Sequence, residues 1–118
     1  MKDYKPVLEN ILKYIRCVEQ IHKNHNYDRE YFCSQNLSEY SLSVNMCILQ
    51  IGELIKTIDD DFRKQHPFVQ WRGLAGMRDI TAHTYGSIDL EIVWEVSVDE
   101  LPGVRLYIES SILNCSDE

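Results

Sequence analysis

The 118-residue chain contains little glycine and proline, with only 5 Gly and 3 Pro. It also lacks internal repeats, low-complexity tracts and linker-like stretches, which excludes collagen-like, disordered and repeat architectures. Hydrophobic residues make up 44% of the chain and charged residues 26%, a composition typical of one compact globular unit. We therefore expect a single domain that spans residues 1–118.

Long apolar runs are also missing. No run approaches the roughly 18 residues that a membrane span requires, and charges interrupt the first twenty residues, where a signal peptide would be apolar. The cysteines form no C-x-x-C pair and have no histidine at zinc-ligand spacing; they are Cys17, Cys33, Cys47 and Cys115. We therefore expect a cytoplasmic, soluble protein with reduced thiols, no signal peptide, no membrane partner and no bound metal.

Positive charge is scarce and local. Twelve Lys and Arg residues against nineteen Asp and Glu give a net charge of −7, which disfavours nonspecific coating of nucleic acid or anionic membranes. Residues 63–83 are the exception, with a net charge of +3, while the rest of the chain carries −10. The charged residues of this basic stretch are Arg63, Lys64, Arg72, Arg78 and Asp79. The same stretch holds two of the four histidines, His66 and His83.

The first half of the chain shows helical periodicity. From Tyr4 to Ile21 apolar residues recur every three or four positions, which predicts an amphipathic helix that ends in the polar run 23–26. Residues 27–33 are expected to form a short helical turn. Asn36, with Glu39 three positions later, resembles a capping box and predicts the start of the next helix.

The helix that follows position 36 is apolar on two faces. Its main stripe consists of Val44, Cys47, Ile48, Ile51, Leu54, Ile55 and Ile58. A second row lies on the opposite side and consists of Leu42, Met46, Leu49 and Glu53. Because a helix apolar on two faces is buried on two faces, we expect a second layer or a partner subunit to cover the second row, with Glu53 among apolar neighbours or at the rim of an interface.

The second half of the chain is also predicted to be helical. Residues 59–61 are expected to cap a short segment that ends before Pro67, and the next helix is predicted from Trp71 to Tyr85, with Gly86 as its terminator. Residues 92–98 alternate like a strand, but the sequence offers no partner strand, so residues 89–98 are interpreted as helical.

The C-terminal segment completes the predicted fold. We expect a break near residues 99–103 and a last helix that buries Val104, Tyr107, Ile108 and Ile112. The consistent architecture is an all-α bundle of about five helices.

The strongest chemical signal is an Arg, a His and a Tyr within residues 78–85. A guanidinium matches phosphate oxygens and an imidazole transfers protons near pH 7, so Arg78 and His83 suit phosphodiester chemistry without a metal. Asp79 precedes His83 by one helical turn and is placed to orient its imidazole; the alternative is an ordinary surface pair.

Helix geometry limits how these residues cooperate. Five residues, or about 140°, separate Arg78 from His83, whereas Tyr85 lies nearly in line with Arg78. Arg78 and His83 therefore cannot share one face of a straight helix. Either the helix distorts before Gly86, or a second copy of the chain completes the site across a two-fold axis.

The sequence around this cluster resembles the HepT toxin family of the HEPN superfamily. The resemblance is carried by WRGLAGMRDITAHTY at residues 71–85 and IDLEIVW at residues 88–94, with weaker similarity at residues 51–53 and 99–102. The family's R-x4-H-x-Y signature falls on Arg78, His83 and Tyr85. The chain departs from the family at residues 86–87, Gly-Ser, where an aromatic residue often follows the tyrosine.

The resemblance implies an all-α homodimer whose two signature segments meet in a cleft that cleaves RNA without a metal or cofactor. Cleavage in that family is attributed to attack by the ribose 2′-hydroxyl. His83 would then be the general acid or base, Arg78 would stabilise the developing phosphorane charge, and Asp79 would support them in a position that is often Asn. Family members belong to type II toxin–antitoxin systems, in which a minimal nucleotidyltransferase antitoxin AMPylates the signature tyrosine, here Tyr85.

Two other interpretations remain open at the level of the sequence. The chain could be a catalytically silent helical module that binds a nucleotide or the partner protein, an interpretation that the acidic net charge favours. It could also be a structural dimer in which Arg78 and His83 form interface ion pairs, which leaves the basic stretch unexplained. The intact signature favours the ribonuclease.

Overall fold

The computed structural model describes residues 3–34, 38–83 and 89–113, with the backbone alone for residues 78–83. Over these residues the chain is helical and contains no strand, which confirms the predicted all-α class. The helices are α1 (Lys5–Asn24), α2 (Arg29–Ser34), α3 (Glu39–Ile55), α4 (Asp60–Gln65), α5 (Trp71–His83), α6 (Leu90–Glu95) and α7 (Leu101–Tyr107). Two π-helical turns, Val96–Glu100 and Ile108–Leu113, follow α6 and α7.

Helix α3 is the centre of the bundle, because α1 packs along one side of it and α5 along another. Its main stripe is buried as predicted, except that Leu54 is half-buried. The second row faces solvent in the single chain: Leu42 and Met46 are 44% and 56% exposed, Glu53 is exposed and Leu49 is half-buried. Nothing in the described part of the chain covers the centre of this row.

The predicted cap of α3 is wrong. The helix begins after Ser38, whose hydroxyl accepts the backbone N–H of Ser41, while the Ser41 hydroxyl accepts the N–H of Ser38. This reciprocal pair is a capping box built from two serines. Glu39 is the first helical residue and not the third, and Asn36 lies outside the described residues.

Helix α1 follows its prediction closely and ends at Asn24, within the polar run. Its buried stripe ends on a histidine, since His22 is 1% exposed whereas Ile21 is half-buried. Asn26 and Tyr27 then adopt positive φ angles of 57° and 51°. This left-handed turn lets the Tyr27 N–H donate to the His22 carbonyl at 2.8 Å and stacks the two rings at 5.1 Å.

The short helix α4 also matches the prediction. The Asp59 carboxylate accepts the N–H of Phe62 at 2.9 Å, and the helix ends at Gln65, before the His66-Pro67 pair. The Arg63 side chain donates to the carbonyl of Ile55 at the end of α3, at 2.8 Å. This bond fixes α4 against the helix that precedes it.

The C-terminal segment is helical from Leu90 to Leu113, so the helical interpretation of residues 89–98 is confirmed and the break predicted at 99–103 is wrong. A π turn, Val96–Glu100, immediately precedes α7, and Pro102 falls in the first turn of α7 without interrupting the helical run. Val104 and Ile108 are buried as predicted, while Tyr107 and Ile112 are half-buried.

Among the residues that the structure describes, no helix has the length and apolar character needed to cross a membrane. Cys17, Cys33 and Cys47 are free thiols, while Cys115 lies outside the described residues.

Candidate functional site

Helix α5 carries most of the signature, and its first turn is tightly fixed. The indole N–H of Trp71 donates to the carbonyl of His66 at 2.9 Å. The backbone N–H of Trp71 donates to the carbonyl of Val69, also at 2.9 Å. The Trp71 ring is 4% exposed and packs edge-on to Phe62 at 6.3 Å. The loop between α4 and α5 thus determines where α5 starts and the direction in which it runs.

The described side chains of α5 show which face is buried. Trp71, Leu74, Ala75 and Met77 are buried against the core, while Arg72 and Gly73 are exposed. These positions define a buried side toward α3 and an opposite exposed side.

The backbone positions of the signature residues follow from this pattern. Arg78 lies two turns after Trp71 and so on the buried side of the helix axis, whereas His83 lies two turns after Gly76 on the other side. The α5 backbone is helical from Trp71 to His83, its last described residue. A distortion between Arg78 and His83, one of the two options from the sequence, is therefore not found in the backbone.

The side chains of Arg78, Asp79 and His83 lie outside the described part of the structure, and so does the whole of Tyr85. The roles predicted for these four residues remain predictions. What the structure adds is the scaffold: an unbroken helix that begins at a buried tryptophan and brings Arg78 and His83 to two sides of one axis.

Two members of the basic stretch have structural roles. Arg63 binds the end of α3, as described above, so its guanidinium is engaged. The His66 ring forms a hydrogen bond with the Tyr107 hydroxyl at 2.8 Å, and partial burial lowers the pKa of His66. Lys64 and Arg72 are exposed. Part of the basic stretch therefore serves to hold the helices of the bundle together.

A buried polar cluster, which the sequence analysis missed, centres on His22. The ring contacts the Tyr40 hydroxyl through Nδ1 at 2.5 Å and the Ser97 hydroxyl through Nε2 at 2.8 Å. Ser97 donates its own proton to the carbonyl of Trp94 at 3.0 Å. Because that proton is used, Nε2 must donate to Ser97, and Nδ1 accepts from Tyr40.

This cluster is satisfied only by a neutral imidazole. Burial, with a smaller effect from His25, lowers the pKa of His22 to about 4, and burial raises the pKa of Tyr40 to about 12. With both groups enclosed, the cluster belongs to the core and not to a reaction centre. The signal was present in the sequence, since His22 continues the spacing of Ile15 and Val18.

Among the described side chains, no three His, Cys, Asp or Glu groups lie together as ligands of a metal ion would.

A sequence profile of the family described as "Ribonuclease HepT-like" matches residues 11–111, which include the whole signature. The chain belongs to this family. The resemblance found at residues 71–94 is thereby confirmed and extends over most of the chain. No solved structure matches the chain.

Individual relatives carry related names. "Putative RNase MJ1216" of Methanocaldococcus jannaschii is 34% identical over 94% of this chain and 88% of its own length. "Putative RNase MJ0125" of the same organism is 32% identical over 99% of this chain and 97% of its own. "Probable ribonuclease HepT" of Thermococcus cleftensis is 27% identical over 88% of this chain and 91% of its own length.

Proposed function

We propose that this HepT-like protein is a metal-independent endoribonuclease that acts as the toxin of a type II toxin–antitoxin pair. The observation that carries the proposal is the family match over residues 11–111, within which Arg78, His83 and Tyr85 preserve the full signature. The unbroken helix α5 supports it, because a rigid element holds reacting groups better than a loop does.

The proposed reaction is an internal transesterification of RNA. The ribose 2′-oxygen attacks the adjacent phosphorus, a new 2′-O–P bond forms and the P–O5′ bond breaks. His83 exchanges the protons of this step: it accepts one from the 2′-hydroxyl or donates one to the departing 5′-oxygen. Arg78 stabilises the negative charge that develops on the phosphorane oxygens, and Asp79 positions the His83 ring.

The site is proposed to lie between two copies of the chain. Arg78 and His83 are about 140° apart on a straight helix and about 7.5 Å apart along its axis, so both cannot be presented on one face by one α5. In a homodimer, His83 of one copy and Arg78 of the other can converge on one phosphodiester. The exposed second row of α3 offers an apolar surface for such a dimer.

The proposed regulation acts on Tyr85, seven residues after Arg78 in the sequence. A minimal nucleotidyltransferase antitoxin would transfer AMP to the Tyr85 hydroxyl. The added phosphate would then compete with RNA for the Arg78 guanidinium, by charge and by bulk.

Digestion of RNA in EDTA by purified protein tests the activity. The wild type should produce 2′,3′-cyclic phosphate and 5′-hydroxyl ends, and His83→Ala and Arg78→Ala should each lose at least about 10²-fold in rate. Lys64→Ala, an exposed cation of the same stretch outside the signature, is the matched control and should retain most of the activity.

Two results would contradict the mechanism: cleavage that stops when EDTA is added, and cleavage that survives in His83→Ala. Binding of RNA or a nucleotide without any cleavage would instead support the non-catalytic module, the interpretation that the net charge of −7 favours.

A further inference from the structure

Helices α1 and α3 run antiparallel, and two hydrogen bonds fix their register. Near one end, the Tyr4 hydroxyl accepts the N–H of Asp59 at 3.1 Å, just beyond α3. Near the other end, His22 bonds to the hydroxyl of Tyr40 at 2.5 Å. Between these bonds each step along α1 corresponds to one step back along α3. Position 17 therefore lies beside the turn of α3 that contains Cys47.

The thiols of Cys17 and Cys47 are close enough to interact with each other across this helix pair. Their environments differ. Cys17 is exposed, whereas Cys47 is 6% exposed. Burial, together with the nearby Cys17 thiol, raises the pKa of Cys47 to about 12. At neutral pH, Cys47 is thus a protonated thiol that is shielded from solvent.

Solvent reaches the pair at Cys17, the exposed member. Cys17 lines a cleft of about 410 Å³ between α1 and α3, together with Tyr14, Gln50 and Leu54. Lys13 also lines the cleft and adds a cationic side chain to it. The cleft admits a small oxidant to Cys17, whereas Cys47 is buried and does not line the cleft.

We propose that Cys17 and Cys47 are a peroxide-sensitive pair that forms a reversible disulfide between α1 and α3. Oxidation starts at Cys17, because exposed thiols react first. The Cys17 sulfur attacks the O–O bond of hydrogen peroxide, an S–O bond forms, and one water leaves, which gives a sulfenic acid. The Cys47 sulfur then attacks the Cys17 sulfur, loses its proton and expels the second water. Two thiols and one peroxide thus become one disulfide and two waters, a two-electron oxidation.

The disulfide would link α3 covalently to α1 and would not involve α5, the helix that carries Arg78 and His83. Helix α5 packs on a different side of α3 from α1, and the second row of α3 stays exposed. The inference therefore does not rest on ribonuclease activity, and its test does not measure activity. Cys33 is the internal comparison, because its thiol donates to the Leu90 carbonyl at 3.8 Å, between α2 and α6.

The test uses reduced protein exposed to hydrogen peroxide, followed by alkylation of the remaining thiols under denaturing conditions. Intact mass should show the loss of two hydrogens with two thiols left to alkylate, and dithiothreitol should restore all four. Non-reducing peptide mapping should find a Cys17–Cys47 linkage. Cys17→Ser and Cys47→Ala should abolish it, whereas the matched control Cys33→Ser should form it as the wild type does.

A thermal melt of the Cys33→Ser/Cys115→Ser variant, which retains only this pair, gives a second readout. Oxidation should raise its melting temperature by about 10 °C, since a cross-link in native geometry restricts the unfolded chain. The proposal is overturned if peroxide yields only sulfinic acid on Cys17, a linkage through Cys33 or Cys115, or a disulfide that lowers the melting temperature.

Discussion

The indole nitrogen of Trp71 lies 2.9 Å from the carbonyl oxygen of His66 and donates a hydrogen bond to it. Through this bond the first residue of α5 is held by the loop that ends α4. His66 in turn bonds to Tyr107 of α7, so the start of the signature helix is linked to the C-terminal part of the bundle. The orientation of the proposed catalytic helix therefore depends on contacts well away from Arg78 and His83.

Trp71→Phe should test the contribution of this bond. The substitution keeps an aromatic ring but leaves the partly buried His66 carbonyl without its partner, so the free energy of unfolding should fall by about 1–3 kcal/mol. Chemical denaturation measures the change. Arg72→Ala, at the adjacent exposed position, should change stability by less than about 0.5 kcal/mol. Equal effects of the two substitutions would contradict the anchoring role.

Acid should destabilise the fold through His22. The unfolded chain protonates this imidazole near its ordinary pKa of 6.5, whereas the folded protein resists protonation down to a pKa of about 4. The unfolded state therefore binds more protons between these pH values, so stability is complete above pH 6.5 and falls as the pH approaches 4. The loss attributable to His22 at pH 4 is about 3 kcal/mol.

The variant His22→Gln should be less stable than the wild type at pH 7 but should lose less stability between pH 7 and pH 4.5. Urea denaturation at both pH values measures the difference. His66→Gln is the control for a second histidine whose pKa burial lowers, though to a smaller extent. If His22→Gln loses as much unfolding free energy between pH 7 and pH 4.5 as the wild type does, His22 is not the source of the acid sensitivity.

Met46→Glu should abolish the proposed homodimer. Met46 is 56% exposed at the centre of the second row, and a carboxylate there would be buried without a partner if two copies met on this surface. Sedimentation should show a dimeric wild type and a monomeric variant. Leu106→Glu, at an apolar position of α7 that is 57% exposed, is the matched control and should stay dimeric. A monomeric wild type at tens of micromolar would contradict the shared site.

Tyr85→Phe should abolish AMPylation by a cognate nucleotidyltransferase, because it removes only the acceptor oxygen. Co-expression of the two proteins followed by intact-mass measurement should show AMP-sized additions on the wild type and none on the variant. The variant should still cleave RNA, since the proposed mechanism assigns its proton transfers to His83 and none to Tyr85. Additions that persist in Tyr85→Phe would place the modification elsewhere.

Gly76→Ala should separate stability from activity. Among the described side chains, a Cβ at Gly76 meets nothing within 4 Å, so alanine should stabilise α5 by about 0.5–1 kcal/mol. Gly76 lies two turns before His83 on the same side of the helix, and a methyl group there should hinder RNA or a second subunit and lower the cleavage rate. Gly103→Ala, with equally open space on α7, should gain stability and keep full activity. Full activity in Gly76→Ala would show that nothing approaches this side of α5 closely.

The sequence predicted the fold best where one apolar stripe decides the structure. Helix α1 and the main stripe of α3 agree with the periodicity of Ile11, Ile15, Val44 and Ile51, because burial of these apolar side chains contributes most to the stability of the fold. The cap of α3 was predicted wrongly, since several polar residues near a helix start compete to bind its free N–H groups. The break at 99–103 was predicted wrongly because the π turn Val96–Glu100 changes the hydrogen-bonding pattern just before Pro102, and the helical run continues through it.

For the candidate site as well, the sequence predicts what depends on spacing along the chain and not what depends on packing. Which residues carry the signature could be read from the sequence, and so could the angle between Arg78 and His83, because both depend only on spacing along a helix. The sequence could not show that Arg63 binds the end of α3 or that His22 is enclosed. Each contact depends on residues that are separated in the chain and that packing brings together.

The hydrogen bonds around His22 also affect the order in which the protein can fold. They connect residues 22, 40 and 97, and the His22–Ser97 bond spans 75 positions of the chain. During synthesis on the ribosome, the N-terminal segment, including all of α5, emerges before Ser97 is available. The histidine then has no acceptor for its Nε2 proton and must remain hydrated, which keeps the end of α1 open. We therefore expect closure of the bundle to be a late, cooperative event that requires the C-terminal helices.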